Sequence, residues 1–530
     1  MTFDFALPPL DAAEAPAFSN AAAAREWAQA QTISNPGRAQ EALHKQIDLL
    51  NRTPLPAAER LEILDALKKL FTYVQDESAK RYVGKAVPLL FAEQAAFDAA
   101  HGLRRAFVTA TLRCVADSLE SDRLATALQR ALAALAGEQF ELLRARVQPD
   151  ADLWRRLNGL IALAESRGLA TRPVSDPLRY GEVPTSALAA YAEALLLHAA
   201  SPFELPLRQL LWMARWARRW SGKLTLTATP PDDLGALPLA VDLLGAQPPR
   251  HLPYAGDGAR LLLTGELRSS IKKRVAALAD GCTPVELQLG DDCTQPACEQ
   301  LLKTLYQRWC KGGTPRAAER TAADAPGRAA FGVATIHYHL SGGKRLQAPA
   351  QTSIADLRRE REEMATFGTV QTQRREEDNE PAPPPIEDGW LIRDESATGL
   401  RLTRPLDGDG ARIGHGLLVA VEPPGGKNFF LASVRWIMRD TERRLQAGVQ
   451  LMPGPVLALA ARIVGEPWHH AFLLPPLSAR DEPASIVLPS GSFRIDRVIE
   501  VRGGGATRQI ALRRLLERGA DFERAAYESA

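Results

Sequence analysis

The chain has 530 residues, of which 45% are apolar and 24% charged, and its formal net charge is +2. This composition is typical of a globular protein with several domains. A net charge so close to zero does not favour a nucleic-acid partner, and any basic site must be local. No secretory leader and no apolar run of membrane-spanning length are present, so we expect a cytoplasmic protein without a membrane span.

Residues 1–222 are predicted to form a helical domain, because apolar side chains recur every three or four positions. Leu43 and Ile47 begin one such stripe. Trp212, Trp216 and Trp220 form another, with arginines beside them. An aromatic stripe at this spacing is more often core than a nucleic-acid or membrane surface, and we interpret it as core.

Residues 223–311 lack the continuous helical periodicity of the first 222 residues and are predicted to be a small mixed α/β region. Alternation over 223–227 and an apolar run over 260–264 indicate strands. Helices are predicted near 265–279 and 296–310. Cys293 and Cys298 lack the tight spacing of zinc ligands, so we predict no metal site there.

The last part of the chain is predicted to be β-structure. A β-barrel domain is assigned to 312–456, with a disordered insertion at about 343–388 that is charged and ends in clustered prolines. Short alternating or apolar runs separated by glycine and proline predict a barrel or sandwich. Residues 457–530 are predicted to add strands and a short C-terminal helix.

Two motifs suggest a binding site. Arg316 and Arg320 follow a Gly-Gly-Thr-Pro breaker and precede a strand predicted over Ala330–Leu340. Asp394, Ser396 and Gly399 lie at a predicted turn between two strands. In this order the motifs resemble RxxxR and [DN]xSxxG of the PilZ family.

Later segments extend the resemblance over residues 313–453. Val434-Arg435-Trp436 and Ala447-Gly448-Val449-Gln450-Leu451 are similar to the ending of many PilZ barrels, and the helical half resembles that of larger proteobacterial PilZ effectors. The fold expected is therefore α+β and multidomain, with an N-terminal helical domain followed by a PilZ-like antiparallel β-barrel with extra strands.

The resemblance implies that cyclic di-GMP is the ligand, and the residue types suit it. Arg316 and Arg320 would grip phosphate and guanine, because a guanidinium is planar, charged and multidentate. Asp394, Ser396 and Gly399 would line the guanine side, with Arg393 as a neighbour. Roughly 70 residues separate Arg320 from Asp394, which leaves open whether the two motifs share a face.

The function expected is that of a cytoplasmic, non-enzymatic effector. It would relay cyclic di-GMP levels through its helical half to an unidentified protein partner that controls motility, type IV pili or biofilm formation. No nucleophile elbow, P-loop or dinucleotide fingerprint is present, and no catalytic residue, metal or further cofactor is predicted. Two alternatives remain: a nucleotide-free scaffold with a degenerate barrel, and an enzyme site hidden in 223–311.

Overall fold

The computed structural model describes residues 5–11, 14–31, 34–118, 122–176, 184–230, 238–313, 319–346, 358, 361–362, 364–365, 385–408, 410–423, 425–426, 428–477 and 481–530. They fall into two compact units. The first, called the helical unit, comprises residues 1–317 and 438–443. The second, called the barrel unit, comprises 318–437 and 444–530.

The helical unit begins with eight helices, four of which start at a residue whose side chain caps the helix. Asn35 caps α2, because its side chain accepts a hydrogen bond from the Arg38 amide at 3.2 Å, and Pro36 suits the first helical position. Asp150 and Ser186 cap α6 and α7 in the same way. The helices are α1 (Ala21–Gln29), α2 (Pro36–Arg52), α3 (Ala57–Ala79), α4 (Phe91–Asp117), α5 (Leu124–Arg144), α6 (Ala151–Ser166), α7 (Ala187–Ala199) and α8 (Leu207–Trp220).

The tryptophan stripe of α8 is core, as predicted. Trp212, Trp216 and Trp220 are all buried. The indole of Trp212 donates to Asp292 at 2.7 Å, and that of Trp216 donates to the Leu289 carbonyl at 2.8 Å. Buried indoles need such acceptors, so the stripe has a structural role.

A small mixed segment follows α8 within the same unit. Its three strands pair antiparallel in the order β1-β3-β2. Leu262 and Ile271 belong to the same apolar core as the long helices. Its elements are β1 (Thr225–Thr227), β2 (Leu239–Asp242), β3 (Ala259–Leu263), α9 (Gly265–Ala279) and α10 (Ala297–Cys310).

The barrel unit contains two closed six-stranded antiparallel barrels. In the first, the strand order is β4-β5-β6-β9-β8-β7. Leu400 and Leu402 are buried on one face of β6, and the partly exposed Arg401 between them points to the other face. The first barrel consists of β4 (Thr321–Phe331), β5 (Glu387–Ser396), β6 (Gly399–Pro405), β7 (Leu418–Glu422), β8 (Phe430–Arg439) and β9 (Arg444–Leu451).

The strand predicted over Ala330–Leu340 is wrong. β4 ends at Phe331, and Val333–Leu340 is a helix, α11. Gly332, with φ of 82°, turns the chain between them. Ile336 and His337 are buried side by side on α11, so His337 and His339 lie on a helix and not on a strand face.

The second barrel has the strand order β10-β11-β12-β15-β14-β13. The predicted C-terminal helix is wrong, because Phe522–Ser529 forms the strand β15 and pairs with both β12 and β14. Its strands are β10 (Leu457–Ile463), β11 (His469–Leu474), β12 (Ser485–Pro489), β13 (Val498–Gly503), β14 (Ala506–Arg518) and β15.

The two barrels share an apolar core that lies around α11. Ile336 of α11 packs in one cluster with Leu418 and Leu431 of the first barrel and with Phe472 and Phe522 of the second. The barrels therefore form one folding unit. The α+β architecture, with a helical part followed by antiparallel barrels, is confirmed, whereas most of the predicted insertion (347–357, 359–360, 363 and 366–384) lies outside the described residues.

Candidate functional site

The acidic motif lies at the tight turn between β5 and β6. Ser396 ends β5 and pairs with Gly399, which begins β6. The Ser396 hydroxyl donates to the Gly399 carbonyl at 3.2 Å, and the Leu451 amide donates to the Thr398 carbonyl at 2.9 Å. These two bonds fix the turn against the end of β9. The predicted location of the motif, at a turn between two strands, is confirmed.

Gly399 is required by close backbone approach. A Cβ atom built at this position would lie 2.6 Å from the carbonyl oxygen of Val449 on β9. Any side chain would force the two strands apart at the start of β6. The glycine therefore allows Asp394 and Ser396 to lie directly beside a third strand.

Arg320 and Asp394 come together although they lie 74 residues apart in the chain. Arg320 immediately precedes β4, and in the β4–β5 ladder Ala322 is the register partner of Asp394. The Arg320 guanidinium donates to the Asp394 carboxylate, and the two form an ion pair. The question left open by the long separation is answered for Arg320: it shares a face with Asp394.

The other two candidate arginines, Arg316 and Arg393, are not placed beside Asp394 by the described residues. Arg316 lies outside the described residues. The Arg393 guanidinium donates to Asp324 at 2.7 Å and forms an ion pair with it. Asp324 has φ of 39° and lies at a bulge of β4, where the register with β5 shifts. Arg393 is therefore hydrogen-bonded to this bulge and not to Asp394.

Arg401 was missed by the sequence reasoning. It is the register partner of Asp394 on β6, and its Nη1 lies 3.6 Å from the Asp394 carboxylate. Arg401 also pairs with Gly448 of β9, where an added Cβ would lie 2.0 Å from the Trp436 indole nitrogen. A row of cation, carboxylate, cation and indole thus crosses the first barrel from Arg320 to Trp436.

This arrangement offers hydrogen-bond donors on both sides of one carboxylate, with an aromatic ring further along the row. Such a surface can bind a phosphate-bearing ligand with planar bases. Within the described part of the chain, no group of three or more His, Cys, Asp or Glu side chains is placed to hold a metal ion. No helix among those residues combines the length and apolarity that a membrane crossing needs.

Comparisons with known proteins match both ends of the chain. Residues 22–232 match the family described as cyclic-di-GMP receptor FimW, N-terminal domain, and residues 459–530 match the FimW C-terminal beta-barrel domain. Among curated proteins, the chain is similar to the cyclic-di-GMP receptor FimW of Pseudomonas aeruginosa. The identity is 22% over 563 aligned residues, which cover 95% of this chain and 90% of that protein.

Proposed function

We propose that this chain, as a member of the FimW family of cyclic-di-GMP receptors, binds cyclic di-GMP on its first barrel. We assign this barrel to the PilZ type. The ligand would contact Arg320, Asp394 and Ser396, beside Gly399, with Arg316 added from the segment that precedes Arg320. The protein would act as a receptor and not as an enzyme.

The observation that carries this proposal is the approach of Arg320 to Asp394. The RxxxR and DxSxxG motifs are far apart in the chain, and only pairing of β4 with β5 brings them to one face. Cyclic di-GMP presents two anionic phosphates and two guanines. A guanidinium can bond a phosphate or the O6/N7 edge of guanine, and a carboxylate can accept from the guanine N1–H and N2–H₂ groups.

The energetics allow the ligand to displace the existing ion pair. The Arg320 and Asp394 side chains are 36% and 19% exposed. A partly exposed pair contributes only about 0–1 kcal/mol. Hydrogen bonds to charged groups contribute about 1.5–3 kcal/mol each, so two or three new ones would exceed the cost of breaking the pair.

The expected output is a change in how the protein engages a partner. By analogy with larger PilZ effectors, the helical half would contact a protein that controls motility, type IV pili or biofilm formation. The ligand can shift that interaction only by its differential affinity for two states of the receptor. The partner and the pathway are part of the proposal.

Isothermal titration calorimetry with cyclic di-GMP tests the ligand assignment. We expect saturable binding, and a loss of at least about tenfold in affinity for both Arg320→Ala and Asp394→Ala. The matched controls are Arg328→Ala and Asp388→Ala. Arg328 lies on β4, which Arg320 immediately precedes, and Asp388 lies on β5 with Asp394. These controls should bind as the wild type does.

A nucleotide-free scaffold is the second candidate function. The Arg320–Asp394 ion pair is also what a purely structural barrel would contain, because each charge already has a partner. No heat at high micromolar cyclic di-GMP would favour the scaffold. Equal losses in the site variants and in Arg328→Ala and Asp388→Ala would show that any binding lies elsewhere.

A further inference from the structure

The helical unit contains a large open cavity, called the groove, whose residues are far in sequence from the β5–β6 turn. Its volume is about 1280 Å³, and α3, α4, α5, α7 and α8 all contribute to its walls. Leu211 of α8 lines it and is 41% exposed. The apolar lining also includes Leu61, Leu64, Phe71, Phe107, Phe140, Leu188 and Leu197.

The cations at the α3 side of this groove are neutralised within the protein. Lys68 forms an ion pair with Asp176 at 2.9 Å, and Arg130 forms one with Asp65 at 3.0 Å. The pKa of Lys68 is lowered by burial, while Asp176 opposes the shift. The α3 side therefore presents little net charge to a bound ligand or partner.

Arg215 of α8 lines the groove and forms an ion pair with Asp292 at 2.6 Å, but four other cations in or beside the α8 side have no carboxylate partner among the described residues. Lys223 donates to the Ser270 hydroxyl at 3.0 Å, and Arg274 donates to the same oxygen at 2.6 Å. Arg219 donates to the carbonyl and side-chain oxygens of Gln288. Arg218 also lines the groove, and none of these four cations forms an ion pair with a carboxylate in the part of the chain that the structure describes.

The pKa of Lys223 also indicates that positive charge at the α8 side of the groove is not compensated. Burial lowers the pKa of Lys223, and the positive charges of Arg274 and Arg219 lower it further. Glu266 opposes this shift but forms no ion pair with Lys223 among the described residues. The dipole of α8 favours Arg218 and Arg219 in its last turn, but it does not account for Lys223 and Arg274, which come from other elements.

We propose that this groove is the docking site for an amphipathic helix of a protein partner. The helix would insert its apolar face between α3 and α8 and would place acidic residues against Arg218, Arg219 and Lys223. A helix is about 10–12 Å across and binds apolar grooves through residues spaced three and four apart. A small anionic ligand would satisfy the cations but would leave the exposed apolar side chain of Leu211 uncovered.

This proposal names the partner chemistry for the helical half and does not depend on the nucleotide site. The experiment is a selection from a displayed library of random peptides about five helical turns long. The full chain is the target, and no cyclic di-GMP is present. We expect enriched peptides to combine acidic residues with apolar residues at helical spacing.

Variants then decide where the selected peptides bind. Arg218→Glu combined with Arg219→Glu should weaken binding by at least about tenfold. Changing the acidic residues of the peptide to lysine should restore affinity for that variant. Leu211→Ser, which alters no charge, should also weaken binding. The matched control is Arg25→Glu with Arg38→Glu, which makes the same charge change on exposed positions of α1 and α2 that do not line the groove.

The proposal is overturned if no peptide is enriched, if the enriched peptides lack acidic residues, or if a charge-reversed variant with unchanged circular dichroism binds them fully. Enrichment abolished equally by both double variants also contradicts it, because the effect would then be one of net charge. Cyclic di-GMP titration of the same variants reports on the barrel site alone, so failure of either proposal is recognised separately.

Discussion

At the scale of single residues, Asp394 is the centre of the candidate site. It has Arg320 on one side and Arg401 on the other, on different strands. Two cations around one carboxylate leave a net positive charge of one at this face, where a ligand with two phosphates would bring two negative charges. The site is therefore complementary to such a ligand before any side chain moves.

Arg401 should contribute to cyclic di-GMP binding as a residue outside the two motifs. Replacing Arg401 with Ala removes one cation from the row, and we expect the affinity to fall by about tenfold, as for one lost charge-assisted hydrogen bond. Calorimetric titration of Arg401→Ala beside Arg328→Ala provides the measurement. Unchanged affinity in Arg401→Ala, together with a loss in Arg320→Ala, would restrict the site to the motif residues.

Arg320, Asp394, Ser396 and Gly399 could be named as candidate site residues from the sequence, because short motifs specify residues directly. It did not identify Arg401, because its role depends on the register of β5 and β6: Arg401 lies opposite Asp394 only when Ser396 pairs with Gly399, and the motif alone does not specify that pairing. Trp436 was recognised only as part of a segment that resembles PilZ barrels, without a role in the site. Its closeness to Gly448 exists only after β8 and β9 pair.

At the scale of elements, the two wrong predictions have one physical cause. Val333–Leu340 contains valine, threonine, isoleucine and tyrosine, which favour strands, whereas Phe522–Ser529 contains alanine, glutamate and arginine, which favour helices. In both segments tertiary packing overrides local preference. α11 fills the space between two barrels, and β15 completes the closure of the second.

Phe522 tests the importance of β15 for the shared core. Its side chain is buried in the cluster that joins the two barrels. Phe522→Ala should lower the free energy of unfolding of the barrel unit by about 3–5 kcal/mol, because it removes buried apolar area and leaves a cavity. Urea unfolding gives the value. Phe430→Ala is the control, because Phe430 on β8 is 46% exposed and its loss should cost far less.

His337 should make the barrel unit sensitive to acid. Burial, with repulsion from His470 second, lowers the pKa of His337 to about 4, and the two rings lie 4.8 Å apart. In the unfolded chain the pKa returns to about 6.5. As the pH falls from about 6.5 towards 4, the unfolded state takes up a proton that the folded state does not, so the stability decreases.

The size of this effect is about 3 kcal/mol between pH 7 and 4, since each pKa unit corresponds to about 1.4 kcal/mol. Urea unfolding at several pH values, for the wild type and His337→Phe, isolates the contribution of this residue. The variant should lose less stability on acidification. An identical pH dependence in both proteins would show that His337 is not the group responsible.

At the scale of the whole molecule, the two units have separate apolar cores. Every buried residue of the core in the helical unit lies between Phe5 and Cys310, whereas Ala330 to Phe522 bound the core that the barrels share. The proposed nucleotide site lies within the barrel unit, and the proposed docking groove lies within the helical unit. Ligand recognition and partner recognition are thus assigned to parts with independent stabilising cores.

This separation predicts two thermal transitions, of which cyclic di-GMP shifts only one. A ligand at about 100 times its Kd stabilises the state that binds it by about 2.7 kcal/mol, which raises the midpoint of a unit of this size by roughly 5–10 °C. Differential scanning calorimetry of the full chain, with and without the ligand, should show that shift in the barrel transition, identified by its lowered midpoint in Phe522→Ala. Asp394→Ala should abolish the shift without removing either transition. If both transitions move equally, the units are energetically coupled and the ligand reports on the whole chain; if only the helical transition moves, the nucleotide binds outside the barrels.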